Sequence, residues 1–148
     1  MSNAFSSAGT TVGLSATLPG AFDAAGYGAL TFTEIGEIES VPEFGPSFSL
    51  ITFTPLNSRV VSKRKGSVNY GQLAITLGRV PSDAGQTILI AAQASDASQA
   101  IEITLQDGTK IYTTGQVMSY RTNVGNTESM TLASVMIELD RPLIEVAP

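Results

Sequence analysis

The chain has 148 residues, enough for one domain whose core folds without disulfide or metal support. It contains no Cys, no His and no Trp, which excludes disulfides and thiolate sites and removes the commonest general base and metal ligand. Only 14% of the residues are charged and the formal net charge is −5, which argues against sequence-independent binding of nucleic acid, because such binding depends on Lys and Arg at the phosphates.

Residues 1–26 are small and polar, and they predict a flexible N-terminal arm. Such an arm either stays disordered or orders against a neighbouring subunit. The N-terminus lacks the basic start and apolar core of a signal peptide, and no apolar run approaches the roughly 20 residues of a membrane helix. We therefore expect a protein that is made and kept in the cytoplasm.

The remaining residues, 27–148, predict a single β domain. Tyr27–Val41 is the first strand region, with a bulge expected at Gly36. Residues two apart on a strand share a face, so Glu37 and Glu39 offer a glycosidase-like or Ca²⁺-binding pair, with a solvated acidic strand face as the alternative. The acidic residues of this part of the chain are Glu34, Glu37, Glu39 and Glu43.

Residues 42–66 predict a long excursion between strands, and excursions of that length are usually functional or disordered. Residues 47–54 predict a strand or a β-like arm, with Phe48 and Leu50 on one face and Ile51 and Phe53 on the other. Residues 59–66 hold four of the eight basic residues and predict a basic loop. This loop binds nucleic acid, is simply solvated, or meets the acidic region of another copy.

The next two elements are a strand and a helix. Ser67–Val80 predicts one strand with a bulge at Gly71. A short helix is expected over 82–94, where Ser82 or Asp83 serves as the N-cap. Because its apolar stripe is narrow, this helix is expected to cover an open end or face of a sheet.

Residues 101–139 alternate between apolar and polar side chains and predict an antiparallel meander of three strands. The first two strands are expected to be joined by a type I′ turn at Asp107-Gly108. The last strand is semi-apolar on both faces, which indicates cover on both sides. Leu143–Val146 predicts a short β segment at an edge or against another chain.

Together these features resemble the tail tube proteins of long-tailed (siphovirus-like) bacteriophages, a family that shares its fold with the tube protein of type VI secretion. The resemblance covers about residues 27–146. It depends on the small-residue arm, the excursion at 42–66, the single short helix, and the C-terminal half. That half contains Asp107–Tyr120, with its Gly115-Gln-Val117 step, followed by Asn126–Leu139.

The resemblance implies a mainly β fold, a small β-sandwich or partly open barrel with one short flanking helix. It further implies that six copies close into a ring and that rings stack into a tube through which DNA passes without specific binding. A tail terminator, a tape measure protein and distal tail proteins are the implied partners. The tube would belong to the virion tail and assemble in the bacterial host cytoplasm.

The resemblance implies surfaces rather than a catalytic, cofactor or metal site. Candidates for lining or bordering the channel are Glu34, Glu37 and Glu39, because a carboxylate-rich wall repels phosphate. Candidates for contact with the adjacent ring are Arg59, Lys63, Arg64, Lys65, Phe48 and Phe53.

Three other functions are considered. A secretion-type tube protein of the same fold is the first alternative. A monomeric carbohydrate-binding β-sandwich is the second, although sugar platforms favour exposed aromatic residues and the chain has no Trp. An enzyme is disfavoured because neither His nor Cys is present.

Overall fold

The computed structural model describes residues 4–148 and contains ten strands and two helices in this range. Neither helix is long and apolar enough to cross a membrane. In chain order the elements are β1 (Thr11–Ser15), α1 (Ala24–Gly28), β2 (Thr33–Glu34), β3 (Ile38–Ser40), β4 (Ser47–Phe53), β5 (Ser62–Asn69), β6 (Gln72–Gly78), α2 (Ala84–Gln93), β7 (Gln99–Thr104), β8 (Lys110–Asn123), β9 (Leu132–Leu139) and β10 (Ile144–Val146).

Eight strands form one antiparallel sheet in the order β2-β1-β7-β8-β9-β6-β3, with β10 paired to the first residues of β8. The sheet curls into a half-barrel, and α2 packs against β8, β1 and β2. Strands β4 and β5 form a separate two-stranded sheet. The mainly β fold with a flanking helix is confirmed, and so is the prediction that the helix covers the sheet.

Strict alternation places the main core on one face of the curled sheet. In β6, Leu73, Ile75 and Leu77 are buried while the residues between them are half-buried. In β9, Val135 and Ile137 are buried in the same way. The other face of β9 is only partly covered within one chain, since Ser134 and Glu138 are exposed. The remaining large buried members of this core are Val12, Leu14, Ile35, Leu89, Ile101, Ile103, Val117 and Leu139.

A second, smaller core lies on the opposite face of β7 and β8. The rings of Tyr27 and Tyr112 stack with their centroids 5.3 Å apart and their planes within 8°. Ala100 is buried beside them. Burial raises the pKa of Tyr27 and of Tyr112, because the charged phenolate loses hydration. The helix α1 is held at this place by Tyr27.

The two edges of the sheet are consecutive in the chain. Strand β2 lies at one edge and β3 at the other, and they are joined by the three residues 35–37. The N-terminus of α2 satisfies the backbone of this link. The Asp83 carboxylate accepts from the N–H of Gly36 at 3.1 Å and, as the N-cap of α2, from the N–H of Gln86 at 3.0 Å.

Gln86 is 1% exposed, and its side chain bonds to three backbone groups in two segments of the chain. Its Nε2 donates to the carbonyl of Gly36 at 3.1 Å and to that of Gly78 at 3.0 Å. Its Oε1 accepts from the N–H of Val80 at 2.9 Å. Gln86 therefore ties the link between the two sheet edges to the end of β6.

Gly85 permits this close approach. A Cβ atom at residue 85 would lie 2.6 Å from the Cα of Ile35 and would collide with the carbonyl of Glu34. Only glycine lets α2 pack directly on the link.

The meander is confirmed, because β7, β8 and β9 are neighbours in the sheet. The type I′ turn is wrong. Only Gly108 has a positive φ, at 95°, whereas a type I′ turn needs two such residues. The N–H of Gly108 donates to the carbonyl of Leu105 at 3.0 Å, and Leu105 pairs with Thr109. The connection is therefore a three-residue loop with its last residue left-handed, a form that Asp-Gly also suits.

The prediction of a flexible arm over residues 1–26 is wrong for part of that segment. Strand β1 pairs with β7 and buries Val12 and Leu14, and Asp23 caps α1. Residues 1–3 lie outside the described residues. The first strand region is also divided: Tyr27 belongs to α1, and Gly36 lies in a link between two edges rather than in a bulge.

Replacing Gln86 by Leu should lower the free energy of unfolding by about 3 kcal/mol, because two carbonyls and one N–H in a buried setting lose their partner while the volume is kept. Urea unfolding followed by circular dichroism measures this. The matched control is Gln93→Leu, at the exposed end of the same helix, which should stay within about 0.5 kcal/mol. A Gln86→Leu protein as stable as this control would contradict the conclusion that Gln86 holds the link between the sheet edges to the end of β6.

Candidate assembly surfaces

The hairpin of β4 and β5, residues 47–69, is the most exposed ordered element. All seven residues of β4 are exposed, and six of the eight in β5 are exposed as well. Its strands make their main contacts with each other. A lone two-stranded hairpin is marginally stable in water, so this element needs a further surface to pack on.

Both faces of the hairpin carry large apolar side chains. Phe48 and Leu50 lie on one face and are 51% and 65% exposed. Ile51 and Phe53 lie on the other and are 54% and 67% exposed. Fifteen large apolar side chains are exposed in residues 4–148, and the eight that lie on this hairpin are Phe48, Leu50, Ile51, Phe53, Leu56, Val60, Val61 and Val68. A concentration of this kind marks an interaction surface.

The hairpin is also basic. It holds four of the eight basic residues and no acidic one, since none occurs between Glu43 and Asp83. Neither of the two ion pairs within residues 4–148 includes them. Instead, the ammonium of Lys65 lies 4.6 Å from the centroid of the Phe48 ring. The four basic residues are Arg59, Lys63, Arg64 and Lys65.

The sequence prediction of a basic loop needs correction. Lys63, Arg64 and Lys65 belong to strand β5, where they pair with Thr52, Ile51 and Leu50 of β4. The predicted single strand over 67–80 is in fact the end of β5 and all of β6. Strand pairing overrides the local pattern here, because apolar β4 supplies a partner for a charged segment with little β preference of its own.

The three carboxylates expected at a channel lie where the two sheet edges meet, and all three are exposed. Glu34 ends β2, Glu37 lies in the link, and Glu39 is the middle residue of β3. Glu37 has a left-handed φ of 60° and precedes β3. The strand spacing that would pair Glu37 with Glu39 is therefore absent. Within residues 4–148, no group of three or more carboxylates is positioned to hold a metal ion.

A groove of about 400 Å³ lies beside Glu39. It runs between β3, the end of β7 and the segment that precedes β1. Its apolar lining and its one carboxylate come from Ile38, Val41, Phe44, Ile103, Leu105 and Glu39. No sequence pattern predicts this groove, since its walls are distant in the chain.

At the tip of the hairpin, residues 54–61, the sequence prediction named Arg59 but not Leu56 and Val60. Leu56 is fully exposed and Val60 is 72% exposed. A turn shapes the tip, because the N–H of Ser58 donates to the carbonyl of Pro55 at 3.2 Å. Two apolar residues between turn residues were the available signal.

By sequence alone, the chain matches no protein-family model and no curated protein. Its fold matches solved structures. A chain of the extracellular contractile injection system PVC, in the structure of its sheath/tube terminator in the extended state, aligns with a TM-score of 0.73 and 13% identity over 99% of both chains.

Two further structures share the fold. A chain of the anti-feeding prophage baseplate aligns with a TM-score of 0.71 and 11% identity, over 99% of this chain and 98% of that chain. The SPP1 tail tube aligns with a TM-score of 0.62 and 11% identity, over 94% of this chain and 77% of that one. The chain therefore has the fold of tail tube proteins, as the resemblance implied.

Replacing Phe53 by Ser should change the free energy of unfolding by less than about 1 kcal/mol, because the ring is exposed and loses only a cross-strand contact. The control in the buried core is Leu77→Ala, which should cost about 2–5 kcal/mol. Urea unfolding at low protein concentration would measure both free-energy changes. A Phe53→Ser cost as large as the core value would mean that the hairpin packs on its own body.

Proposed function

We propose that the chain is the structural subunit of a tail tube, in which rings of six copies stack around a channel that conducts genomic DNA into a bacterial host. The fold match over nearly the whole chain carries this proposal. The proposed role is structural rather than catalytic. Partners of the proposed tube are a tail terminator, a tape measure protein and distal tail proteins, and its proposed location is the virion tail after assembly in the host cytoplasm.

The unpartnered hairpin supports self-assembly. Its apolar residues are exposed on both faces in one chain. Burying such surface stabilises an interface by about 25 cal/mol per Å², which strongly favours association. The hairpin is long enough to reach a neighbouring subunit, since seven residues at about 3.4 Å each span roughly 20 Å. We assign to it the contact with the adjacent ring, through Phe48, Phe53, Arg59, Lys63, Arg64 and Lys65.

Charge segregation supports an ordered stack. The hairpin carries four positive charges and no negative one, whereas the whole chain carries a formal −5. A basic hairpin meeting the acidic body of another copy fixes orientation and register. We assign the channel border to Glu34 and Glu37, because phosphate is repelled there. Glu39, predicted with them, lines the groove.

A tube protein of a contractile injection system is the second candidate. Two of the structures that share the fold are named for such systems. Injection systems and phage tails use one tube fold, so the chain alone does not separate them. Capsid and packaging genes beside the coding gene would favour the phage tail, and their replacement by secretion genes would favour the injection system.

Purified protein should form rings or long tubes at high concentration in negative-stain electron micrographs. Changing Lys63, Arg64 and Lys65 together to Glu should abolish stacking while the circular dichroism spectrum stays unchanged, because the charge pairing between copies becomes repulsion. A strictly monomeric wild-type protein would contradict the tube assignment.

Two controls separate charge from fold in this experiment. The same three residues changed to Gln should stack more weakly than wild type but better than the Glu variant. Arg121→Glu, exposed on β8, adds negative charge away from the hairpin and should stack normally. Normal stacking of the triple Glu variant would reject the charge pairing and leave the tube assignment in place.

Tubes of the variant Glu34→Lys/Glu37→Lys should trap short DNA duplexes that wild-type tubes do not hold, because the channel border becomes attractive to phosphate. The fraction of DNA protected from nuclease measures this, and it should fall as salt rises. Glu145→Lys, exposed on β10, is the control. Equal protection of DNA in all three tubes would contradict the assignment of Glu34 and Glu37 to the channel border.

A further inference from the structure

The groove beside β3 is an apolar receptor with one charge at its rim. Ile103 and Leu105 of β7 and its flank form one side, and Ile38, Val41 and Phe44 form the other. Glu39 is exposed at this rim. Its volume of about 400 Å³ lies in the range of pockets that bury small apolar groups.

The hairpin tip has the matching properties. Leu56 is fully exposed and Val60 is 72% exposed, and Arg59 lies next to Val60. The turn from Pro55 to Ser58 contains Leu56 as its second residue. A pre-shaped tip loses little freedom on docking.

The chain does not fill its own groove. In one copy the tip is exposed and the groove is open, while β3 has a strand neighbour on one side only, β6. Charge favours a second copy as the occupant. The charged residues of the hairpin are all basic, whereas Glu34, Glu37, Glu39 and Glu43 lie within ten residues of one another in the chain and Glu39 lines the groove.

We propose that the groove receives the hairpin tip of a second copy, with Leu56 and Val60 seated against its apolar lining and Arg59 paired with Glu39. This inference rests on the proposed assembly of copies and names the contact that builds it. Glu39 is then a docking residue between subunits rather than part of the channel border.

Because the chain contains no Cys, single introduced cysteines report on this contact directly. Asn57→Cys places a thiol in the tip and Ser40→Cys places one in the groove lining; neither change removes an apolar contact. The two variants, one carrying a mass tag, are mixed, assembled and oxidised. A disulfide forms only where the Cα atoms come within about 7 Å. Since each chain has one thiol, any heterodimer joins two copies.

The mixture should give a covalent heterodimer severalfold above the yield of Asn57→Cys mixed with Thr127→Cys, an exposed control in the loop after β8. Wild-type tubes with no excess heterodimer would overturn the groove contact and leave the tube assignment intact. A heterodimer without rings or tubes would support the contact and contradict the tube. Neither tubes nor heterodimer would overturn both.

Charge exchange tests the pairing of Arg59 with Glu39. In the cysteine background, Arg59→Glu or Glu39→Arg alone should lower the heterodimer yield severalfold, and the two changes together in every copy should restore it. The control Glu145→Arg changes the net charge as Glu39→Arg does, but on β10, and it should leave the heterodimer yield unaltered. Failure of the double change to restore the yield would reject this pair.

Discussion

The fold depends on how the two edges of the sheet are brought together. Strands β2 and β3 are opposite edges, yet only three residues separate them. No ladder joins β2 to β3, so the polar backbone of the link needs other partners. Ile35 and Glu37 bond to the backbone of Val12 and Gly78, and Asp83 and Gln86 at the start of α2 supply the partners of Gly36. Their hydrogen bonds keep the sheet curled around its core, because unpaired buried backbone groups would cost about 1–3 kcal/mol each.

The residues that stabilise the fold are therefore separate from those of the exposed hairpin. The apolar residues of the body face inward, and the ends of the sheet are held by the link and α2. The hairpin stands outside this arrangement and contributes no residue to either core. Its side chains are free to vary with the partner they meet, whereas a change at Gly85 or Gln86 disturbs the body itself.

The sequence predicted what local patterns determine. The meander follows from alternation over many residues, and α2 follows from the Asp83 cap. Strands β2 and β3 have two and three residues, too few for a pattern, and their place depends on long-range pairing. Gln86 is a polar helix residue, so the sequence alone predicts that it faces solvent. It is buried because the link supplies hydrogen-bond partners for its side chain. The groove is formed by three separate stretches of the chain, within 7–10, 38–44 and 103–105, so no local signal predicts it.

The low sequence identity to structures of the same fold has a physical explanation. At 10–13% identity, these structures share the fold of this chain but few of its side chains, and in this chain the fold follows from the pattern of buried and exposed positions. Patterning of this kind specifies the sheet, because a slip of one residue would move every core side chain to the wrong face. The proposed recognition between copies would instead need particular side chains, those of the hairpin tip and of the groove with Glu39. The body is therefore free to diverge in sequence while the fold is kept, whereas under the proposed docking the tip and the groove must change together.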